Sequence, residues 1–306
     1  MSGPPAPAER AIHVTEVGPR DGLQNENVVI PTHAKLAFIH GLVDAGVRQI
    51  EITSFVHPRW VPMMADAEEV FAGLERRPGV RYLALVPNVR GYERARAAGC
   101  DAVALFTAAS EAFTKMNINA TIDESLETFA AVAKRAHADG VAVRGYVSTV
   151  YACPFAGAIA PEAVIDVVER LFDLGCYEVS LGDTIGVATP SEVRRVVDVL
   201  GARFPLDRLV MHFHDTWGMA VANVAQSVEL GLRRFDSSAG GLGGCPYARS
   251  ATGNVATEDL LYLLDHLGYE TGIDIDTVVA AAEGLARHLA HPLPSRVHKA
   301  WKGRVI

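Results

Sequence analysis

A regular alternation of two hydrophobic patterns, unbroken from residue 11 to residue 267, constrains the fold of this 306-residue chain most strongly. Short runs of β-branched and apolar residues predict strands, and longer stretches with apolar residues every three to four positions predict helices. The predicted strands cover residues 12–17, 49–53, 82–86, 102–106, 142–149, 178–181, 209–213 and 234–237. The helices after them cover residues 31–45, 65–76, 90–98, 122–138, 161–174, 190–202, 219–230 and 257–267. Such a series favours an α/β fold of the (β/α)8 TIM-barrel class over a doubly wound open sheet.

The chain outside this series predicts additions to the same barrel. No GxGxxG motif lies between the first strand and the first helix, which also argues against a doubly wound sheet. A short helix is expected within residues 108–120 and a further helix over 276–289, followed by a basic tail at 292–306. We therefore expect one TIM-barrel domain over residues 11–306, with a C-terminal helical segment from about 269, and a disordered leader over residues 1–10.

Composition excludes several classes of function. An apolar content of 49% is sufficient for a large core, and a net charge of -8 without a block of like charges argues against a nucleic-acid-binding surface. The four cysteines are widely spaced, which argues against a disulfide framework and favours a reducing compartment. No apolar run suits a membrane span, and no targeting pattern is evident, so we expect a cytoplasmic, bacterial protein that binds neither membrane nor nucleic acid.

Polar residues cluster where the predicted strands end, which is where TIM barrels carry their active sites. In chain order these residues are Arg20, Asp21, Gln24, Glu51, Asp183, His212, His214, Cys245 and Asn254. Charged side chains are rarely buried unless they are paired or bound to a metal. We therefore expect the charged members to converge on one shared site.

The sequence predicts a metal site from four of these residues. His212 and His214 are two positions apart on a predicted strand, so their imidazoles lie on one face, next to Asp215. With Asp21 and Asn254 they offer two nitrogen and two oxygen ligands. That set suits an octahedral Mg²⁺ or Mn²⁺, and Zn²⁺ stays open as a less favoured choice.

Each of these residues also has a purely structural interpretation. For His212 and His214 the alternative is a pair of ordinary hydrogen-bonded histidines. For Asp21 the alternative is a turn residue before Gly22. For Glu51 the alternative is a structural salt bridge, and for Asn254 the N-cap of the eighth helix. The structure has to decide between these interpretations.

Cys245 lies in a loop with glycines at positions 240, 241, 243 and 244. Such a loop is flexible enough to act as a lid and to bring a thiol to the site for proton transfer. The alternative is a tight turn with a passively packed cysteine. Cys100 and Cys176 each precede a strand at the opposite end of the barrel and are expected to be inert, whereas Cys153 lies near the mouth.

At these positions the sequence resembles the 3-hydroxy-3-methylglutaryl-CoA lyase family, metal-dependent barrels acting on carbon–carbon bonds next to an acyl-CoA. The matching segments are VGPRDGLQNE (17–26), EITSF (51–55), SLGDTIG (180–186), HFHDT (212–216), GGLGGCPYA (240–248) and TGN (252–254). The glycine–cysteine loop is the specific part, because related condensing synthases share the Arg-Asp-Gly (20–22) and His-x-His (212–214) elements but not that loop.

The resemblance implies a role for each candidate residue. Asp21, His212, His214 and Asn254 are expected to bind the divalent cation, and either Asp21 or His212 is expected to be the base. The remaining implied roles are enolate stabilisation for Arg20, proton transfer for Cys245, and places in the catalytic or substrate pocket for Glu51, Gln24 and Asp183.

The implied reaction is retro-Claisen cleavage of 3-hydroxy-3-methylglutaryl-CoA to acetyl-CoA and acetoacetate. Alternatives with related chemistry are cleavage of isohexenylglutaryl-CoA or citramalyl-CoA, and a Claisen-type acyl-CoA synthase. A zinc hydrolase usually carries its paired histidines on the first strand, and a binding scaffold would need no such site. The expected partners are an acyl-CoA substrate and a second copy of the chain, in a homo-oligomer such as a dimer.

Overall fold

Strands and helices alternate along residues 10–244 and 253–303, which the structure, a computed structural model, describes. The strands are β1 (His13–Glu16), β2 (Gln49–Ser54), β3 (Arg81–Leu85), β4 (Ala102–Ala108), β5 (Ala142–Ser148), β6 (Ala152–Cys153), β7 (Gly157–Ala158), β8 (Val179–Asp183), β9 (Leu209–Phe213) and β10 (Arg234–Ser237). The helices are α1 (Thr32–Asp44), α2 (Ala67–Ala72), α3 (Val89–Ala97), α4 (Glu111–Ile118), α5 (Ile122–Ala138), α6 (Pro161–Asp173), α7 (Pro190–Gly201), α8 (Ala220–Glu229), α9 (Thr257–His266), α10 (Ile275–Ala286) and α11 (Arg296–Gly303).

Eight of the strands close into a parallel barrel in the order β1, β10, β9, β8, β5, β4, β3, β2. The ring closes where β1 pairs with β10 on one side and with β2 on the other. The predicted (β/α)8 TIM barrel is therefore confirmed. The short antiparallel hairpin β6–β7 was not predicted, because strands of two residues carry no hydrophobic periodicity.

The helices form where the sequence predicts them, with ends that differ by a few residues. The clearest difference is α2, which ends at Ala72 rather than at residue 76, because Gly73 is a poor helix former. The short helix expected within residues 108–120 is α4, and the helix expected over 276–289 is α10. The basic tail was predicted without secondary structure, but it contains α11.

The outer helices pack through apolar faces of helical period. In α6, for example, the buried residues Val164, Val168 and Leu171 recur every three or four positions. Helix α10 lies close to α1, since a Cβ added at Gly41 would stand 2.9 Å from the Cβ of Ala281. No helix within residues 10–244 and 253–303 is long and apolar enough to cross a membrane.

The two ends of the described chain are fastened to the barrel by hydrogen bonds. Arg10, the last residue of the predicted leader, accepts a backbone hydrogen bond from Glu270, whereas residues 1–9 lie outside the described range. At the other end, Asp259 of α9 accepts hydrogen bonds from Ser295 Oγ and from the backbone N–H of Val297, at 2.7 and 2.8 Å. The C-terminal segment is thereby held against the barrel.

Charged groups, rather than apolar ones, occupy part of the barrel interior. Arg144 of β5 is fully buried and makes ion pairs with Glu178 at 2.7 Å and with Asp236 of β10 at 2.6 Å. A buried charge without partners would be strongly unfavourable, so these three residues depend on one another. They lie below the carboxyl ends of the strands, where the candidate site begins.

Candidate functional site

Asp21 lies just after β1, in a π-helical turn over Gly18–Gly22. The backbone N–H groups of Asp21 and Gly22 both donate to the carbonyl of Val17, at 2.7 and 3.2 Å. Such turns are rare and are frequently found at functional sites. This turn directs Arg20 and Asp21 toward the end of β9, so Asp21 is more than a turn residue.

The side chains of His212 and His214 point their Nε2 atoms at each other, 3.3 Å apart. On the far side of each ring the Nδ1 atom meets an acceptor, Asp236 at 3.1 Å for His212 and the carbonyl of Thr184 at 2.9 Å for His214. A carboxylate and a carbonyl can only accept, so each neutral imidazole carries its proton on Nδ1. Two Nε2 lone pairs therefore face one another, an arrangement that a cation between them would stabilise.

The Asp21 carboxylate completes a three-residue cluster. Its Oδ2 atom lies 4.0 Å from His212 Nε2 and 3.9 Å from His214 Nε2. Burial raises the pKa of Asp21, but the positive charge of the neighbouring Arg20 opposes burial most strongly, and the pKa lies far below its usual range. Asp21 is therefore ionised at neutral pH and offers a negative oxygen to a cation.

Asn254 reaches the cluster because its segment pairs with the end of β9. An antiparallel bridge joins Asn254 to His214, and the Asp215 N–H donates to the Gly253 carbonyl at 3.0 Å. The Nδ2 atom of Asn254 donates to Asp21 Oδ2 at 2.8 Å and to the Leu242 carbonyl at 3.0 Å. These two hydrogen bonds fix the orientation of the Asn254 amide.

The amide oxygen of Asn254 is buried and lacks a hydrogen-bond partner within the described ranges. A buried acceptor of this kind is rare and calls for a ligand. The N-cap interpretation fails, because α9 begins at Thr257 with Ala256 at the N-cap. Asn254 therefore fits the place of an oxygen ligand.

These donors fit a divalent cation. Ligand atoms of Asp21, His212 and His214 lie within 4.8 Å of one another. Unprotonated imidazoles, an ionised carboxylate and an unpartnered amide oxygen are the groups that such ions coordinate. The structure thus brings together all four residues that the sequence nominated as metal ligands.

Arg20 lies between two carboxylates beside the cluster. Its Nη2 and Nε atoms are each 2.7 Å from Glu51 Oε2, and its Nη1 is 2.6 Å from Asp21 Oδ1. Tyr146 donates to the same Glu51 oxygen at 3.0 Å. Although burial works against it, these neighbours raise the pKa of Arg20, which stays charged. Glu51 therefore forms the salt bridge that was its structural alternative, and this pair orients Arg20 at the site.

Asp183 and Gln24 lie at the edge of the site. The Asp183 carboxylate accepts hydrogen bonds from the backbone N–H groups of Val187 and Ala188, each at 3.0 Å, so it shapes the loop after β8. Burial raises its pKa to about 6. Gln24 is half-buried, two residues beyond the π-helical turn. Their places in a substrate pocket stay predictions.

Comparison with known proteins assigns the family. The model of the family described as HMGL-like matches residues 11–284. The chain belongs to the HMGL-like family. It is 52% identical to the hydroxymethylglutaryl-CoA lyase of Pseudomonas mevalonii over 96% of this chain and 98% of that protein.

Two further relatives bear on the substrate. The 3-hydroxy-3-isohexenylglutaryl-CoA/hydroxy-methylglutaryl-CoA lyase of Pseudomonas aeruginosa is 49% identical over 95% of this chain and 97% of that protein. The solved structure of an HMG-CoA lyase from Acinetobacter baumannii, in complex with coenzyme A and 3-methylmalate, is 36% identical. It covers 97% of each chain with a TM-score of 0.92.

The three described cysteines of this HMGL-like chain are all buried. Cys100 and Cys176 are buried, and burial raises the pKa of both thiols, to about 12 for Cys176. Cys153 is also buried, and its sulfur accepts the backbone N–H of Phe155 at 3.4 Å. Cys245 lies outside the described residues, and its role stays a prediction.

Asp215, beside His214 in the sequence, faces away from the cluster. One carboxylate oxygen accepts the backbone N–H of Ala220 at the start of α8, and the other pairs with Arg296 at 2.7 Å. These two contacts hold the Asp215 carboxylate on the side of α8 and α11. The acidic residue in the HMGL-like cluster is therefore Asp21, from the turn after β1.

Sequence reasoning missed residues that support the HMGL-like site from below. Asp236 is hydrogen-bonded to His212 and to Arg144, and Tyr146 is hydrogen-bonded to Glu51. The sequence signal that could have identified Arg144 and Asp236 is a charged residue inside a predicted strand. Barrel strands are covered on both faces and are expected to be apolar.

Proposed function

We propose that this protein is a divalent-metal-dependent carbon–carbon lyase that cleaves 3-hydroxy-3-methylglutaryl-CoA to acetyl-CoA and acetoacetate. The observation that carries the proposal is the pair of facing Nε2 atoms of His212 and His214, 3.3 Å apart, beside the Asp21 carboxylate. The high identity to hydroxymethylglutaryl-CoA lyases over nearly the whole chain supports this substrate class.

Asp21, His212, His214 and Asn254 would hold the cation. Two nitrogen and two oxygen donors leave coordination positions for substrate and water, which favours Mg²⁺ or Mn²⁺ over Zn²⁺. When bound, the ion lowers the pKa of a hydroxyl group and stabilises negative charge.

The reaction removes the proton from the 3-hydroxyl group and breaks the bond between carbons 2 and 3. Carbon 3 becomes the ketone of acetoacetate, and the bonding electrons leave as a thioester enolate. Either Asp21 or His212 is the base that accepts the hydroxyl proton, since both groups lie at the cluster, with Asp21 Oδ2 4.0 Å from His212 Nε2.

Arg20 stabilises the enolate. Its guanidinium is a fixed positive charge held by Glu51 and Asp21, so no reorganisation is needed when negative charge develops. The enolate then takes a proton to give acetyl-CoA. A thiol with an ordinary pKa of about 8.5 can supply that proton near neutrality, which is the role proposed for Cys245.

The test combines metal removal with an acidic substitution. Protein stripped with a chelator is expected to be inactive and to regain acetoacetate release when Mg²⁺ or Mn²⁺ is returned. Asp21→Asn should stay inactive with either ion, whereas Asp215→Asn should remain active because Asp215 faces α8 and Arg296. Full activity of the stripped protein or of Asp21→Asn would overturn the proposal.

A second substrate is favoured by one relative. The Pseudomonas aeruginosa protein is named for both the isohexenyl and the methyl compound, so a longer 3-substituent is the main alternative here. Rates measured with both compounds and with citramalyl-CoA decide the substituent. We expect the methyl compound to be cleaved fastest. Net consumption of acetyl-CoA would instead indicate a condensing synthase.

We also propose a cytoplasmic location, which the bacterial origin of the Pseudomonas mevalonii relative and the unpaired thiols of Cys100, Cys153 and Cys176 support. The homo-oligomer, for example a dimer, stays a prediction that light scattering after size-exclusion chromatography can check.

A further inference from the structure

Asp236, below the candidate metal site, is surrounded by hydrogen-bond donors. Its Oδ2 atom accepts from Ser180 Oγ at 2.7 Å and from His212 Nδ1 at 3.1 Å. Its Oδ1 atom accepts from Arg144 Nη2 at 2.6 Å. The side chain of Asp236 is fully buried, so these contacts define its orientation.

Arg144 makes this orientation asymmetric. A guanidinium has donors only, so whichever atom of residue 236 faces Arg144 must be an acceptor. Arg144 cannot turn away, because its Nε donates to Glu178 at 2.7 Å and its side chain is fully buried. The atom that faces His212 is then decided by the chemistry of residue 236.

We propose that Arg144 and Asp236 act as positioning residues that fix the tautomer of His212. With a carboxylate at residue 236, both oxygens accept, His212 must donate from Nδ1, and Nε2 keeps the lone pair that a cation needs. The inference rests on the proposed function, in that it gives His212 Nε2 the role of a metal ligand.

His214 provides an internal comparison. Its Nδ1 donates to the backbone carbonyl of Thr184 at 2.9 Å, an acceptor that no substitution at residue 236 alters. Any change confined to residue 236 should therefore affect the proton on His212 and leave the proton on His214 in place.

The test is Asp236→Asn, which preserves side-chain shape. Arg144 holds the amide oxygen, so the substituted NH2 group faces His212 and donates to Nδ1. His212 then carries its proton on Nε2, where it competes with metal binding. The tautomers are read from the ¹⁵N shifts of histidine-labelled, metal-free protein at about pH 8, above the ordinary histidine pKa. His212→Gln and His214→Gln proteins assign the signals.

We expect His212 to be protonated on Nδ1 in the unsubstituted protein and on Nε2 in Asp236→Asn, with His214 on Nδ1 in both. His212 protonated on Nε2 in the unsubstituted protein would overturn the inference, even if the variant does not fold. An unchanged His212 tautomer in folded Asp236→Asn would overturn it as well.

Calorimetric titration with Mn²⁺ gives a second readout. Asp236→Asn is expected to bind Mn²⁺ roughly tenfold to a hundredfold more weakly. The matched control is Ser180→Ala, which removes the other hydrogen bond to Asp236 Oδ2 but leaves the carboxylate and should bind Mn²⁺ within about threefold. Equal weakening in both variants would indicate a merely structural role and would overturn the inference.

The results that would contradict the proposed function differ from the results that would contradict this inference. If the unsubstituted protein binds no Mn²⁺ while the His212 tautomer still switches in Asp236→Asn, the metal site is wrong and the Arg144–Asp236 assignment stands. If the protein binds Mn²⁺ equally with and without the substitution, the proposed metal site survives and this inference fails.

Discussion

Arg20 depends on the geometry of the guanidinium as well as on its charge. It contacts Glu51 through two nitrogens and Asp21 through a third, all within 2.7 Å. A lysine ammonium is a single charged group and cannot satisfy both carboxylates in this fixed arrangement. The position of the positive charge opposite the proposed enolate would therefore be lost.

We expect Arg20→Lys to lower kcat by roughly 10²- to 10³-fold. Mn²⁺ binding should persist, because a positive charge beside Asp21 is retained. Steady-state kinetics and calorimetry on the same protein separate the two effects. Arg96→Lys is the matched control, since Arg96 pairs with Asp139 on the surface at 2.8 Å and should change nothing. Unchanged kcat in Arg20→Lys would remove Arg20 from the mechanism.

The candidate metal ligands were predictable, whereas the residues that hydrogen-bond to them were not. The spacing of His212 and His214 on one strand, and the placing of Asp21 and Asn254 after the strands that flank the barrel seam, follow from general rules for strands and barrels. Asp236 and Arg144 are 92 positions apart in the chain and become neighbours only when the barrel closes. No sequence spacing therefore relates them. Partners of this kind need coordinates.

The segment that carries Asn254 is an element of its own, and its backbone packs closely against residues 241 and 242. Gly253 lies so close to residues 241 and 242 that an added Cβ would overlap the carbonyl of Gly241 and stand 2.6 Å from the carbonyl oxygen of Leu242. Backbone atoms cannot move aside as a flexible side chain can. Only glycine allows the approach that puts Asn254 beside His214.

Gly253→Ala is therefore expected to displace Asn254 and to weaken Mn²⁺ binding by roughly tenfold, while costing about 1–3 kcal/mol of stability. The control is Gly284→Ala in α10, where an added Cβ meets nothing within 4 Å. That change should instead stabilise the protein by up to about 1 kcal/mol through helix propensity. Calorimetry and chemical denaturation check both variants; unaltered metal affinity in Gly253→Ala would contradict the argument.

Elements with a long local pattern were predictable, and short ones were not. The helix α5 occupies the predicted residues 122–138, because its apolar period and its Thr121–Glu124 capping box are both written in the local sequence. The π-helical turn at Gly18–Gly22 has no such pattern, and neither has the hairpin β6–β7. α11 was missed because its first turn is capped by Asp259, a residue remote in sequence.

The barrel closes at a seam between β1 and β10, and a buried carboxylate joins its two sides. Glu16 of β1 accepts the backbone N–H groups of Gly18 and Ala239, at 2.7 and 3.0 Å, and the hydroxyl of Thr257 at 2.6 Å. The segments it connects lie more than 200 positions apart in the chain. Burial raises the pKa of Glu16 to about 7, and the nearby Glu258 adds to the effect.

This raised pKa predicts how stability depends on pH. Between about 4.5, the ordinary glutamate pKa, and about 7, the folded protein binds a proton at Glu16 that the unfolded chain releases. The contribution is therefore fully present below about pH 4.5 and is lost as pH rises through about 7, at up to about 1.4 kcal/mol per pH unit. Glu16→Gln keeps the hydrogen-bonding shape and removes the titration.

We expect the free energy of unfolding of Glu16→Gln, relative to the unsubstituted protein, to rise across this window. Urea denaturation at about pH 5, 6, 7 and 8 measures the difference, which cancels the other titrating groups. Glu127→Gln is the control, because Glu127 is exposed on α5 and its substitution should give a flat difference. A flat difference for Glu16→Gln would mean that the seam carboxylate ionises as freely in the barrel as in the unfolded chain.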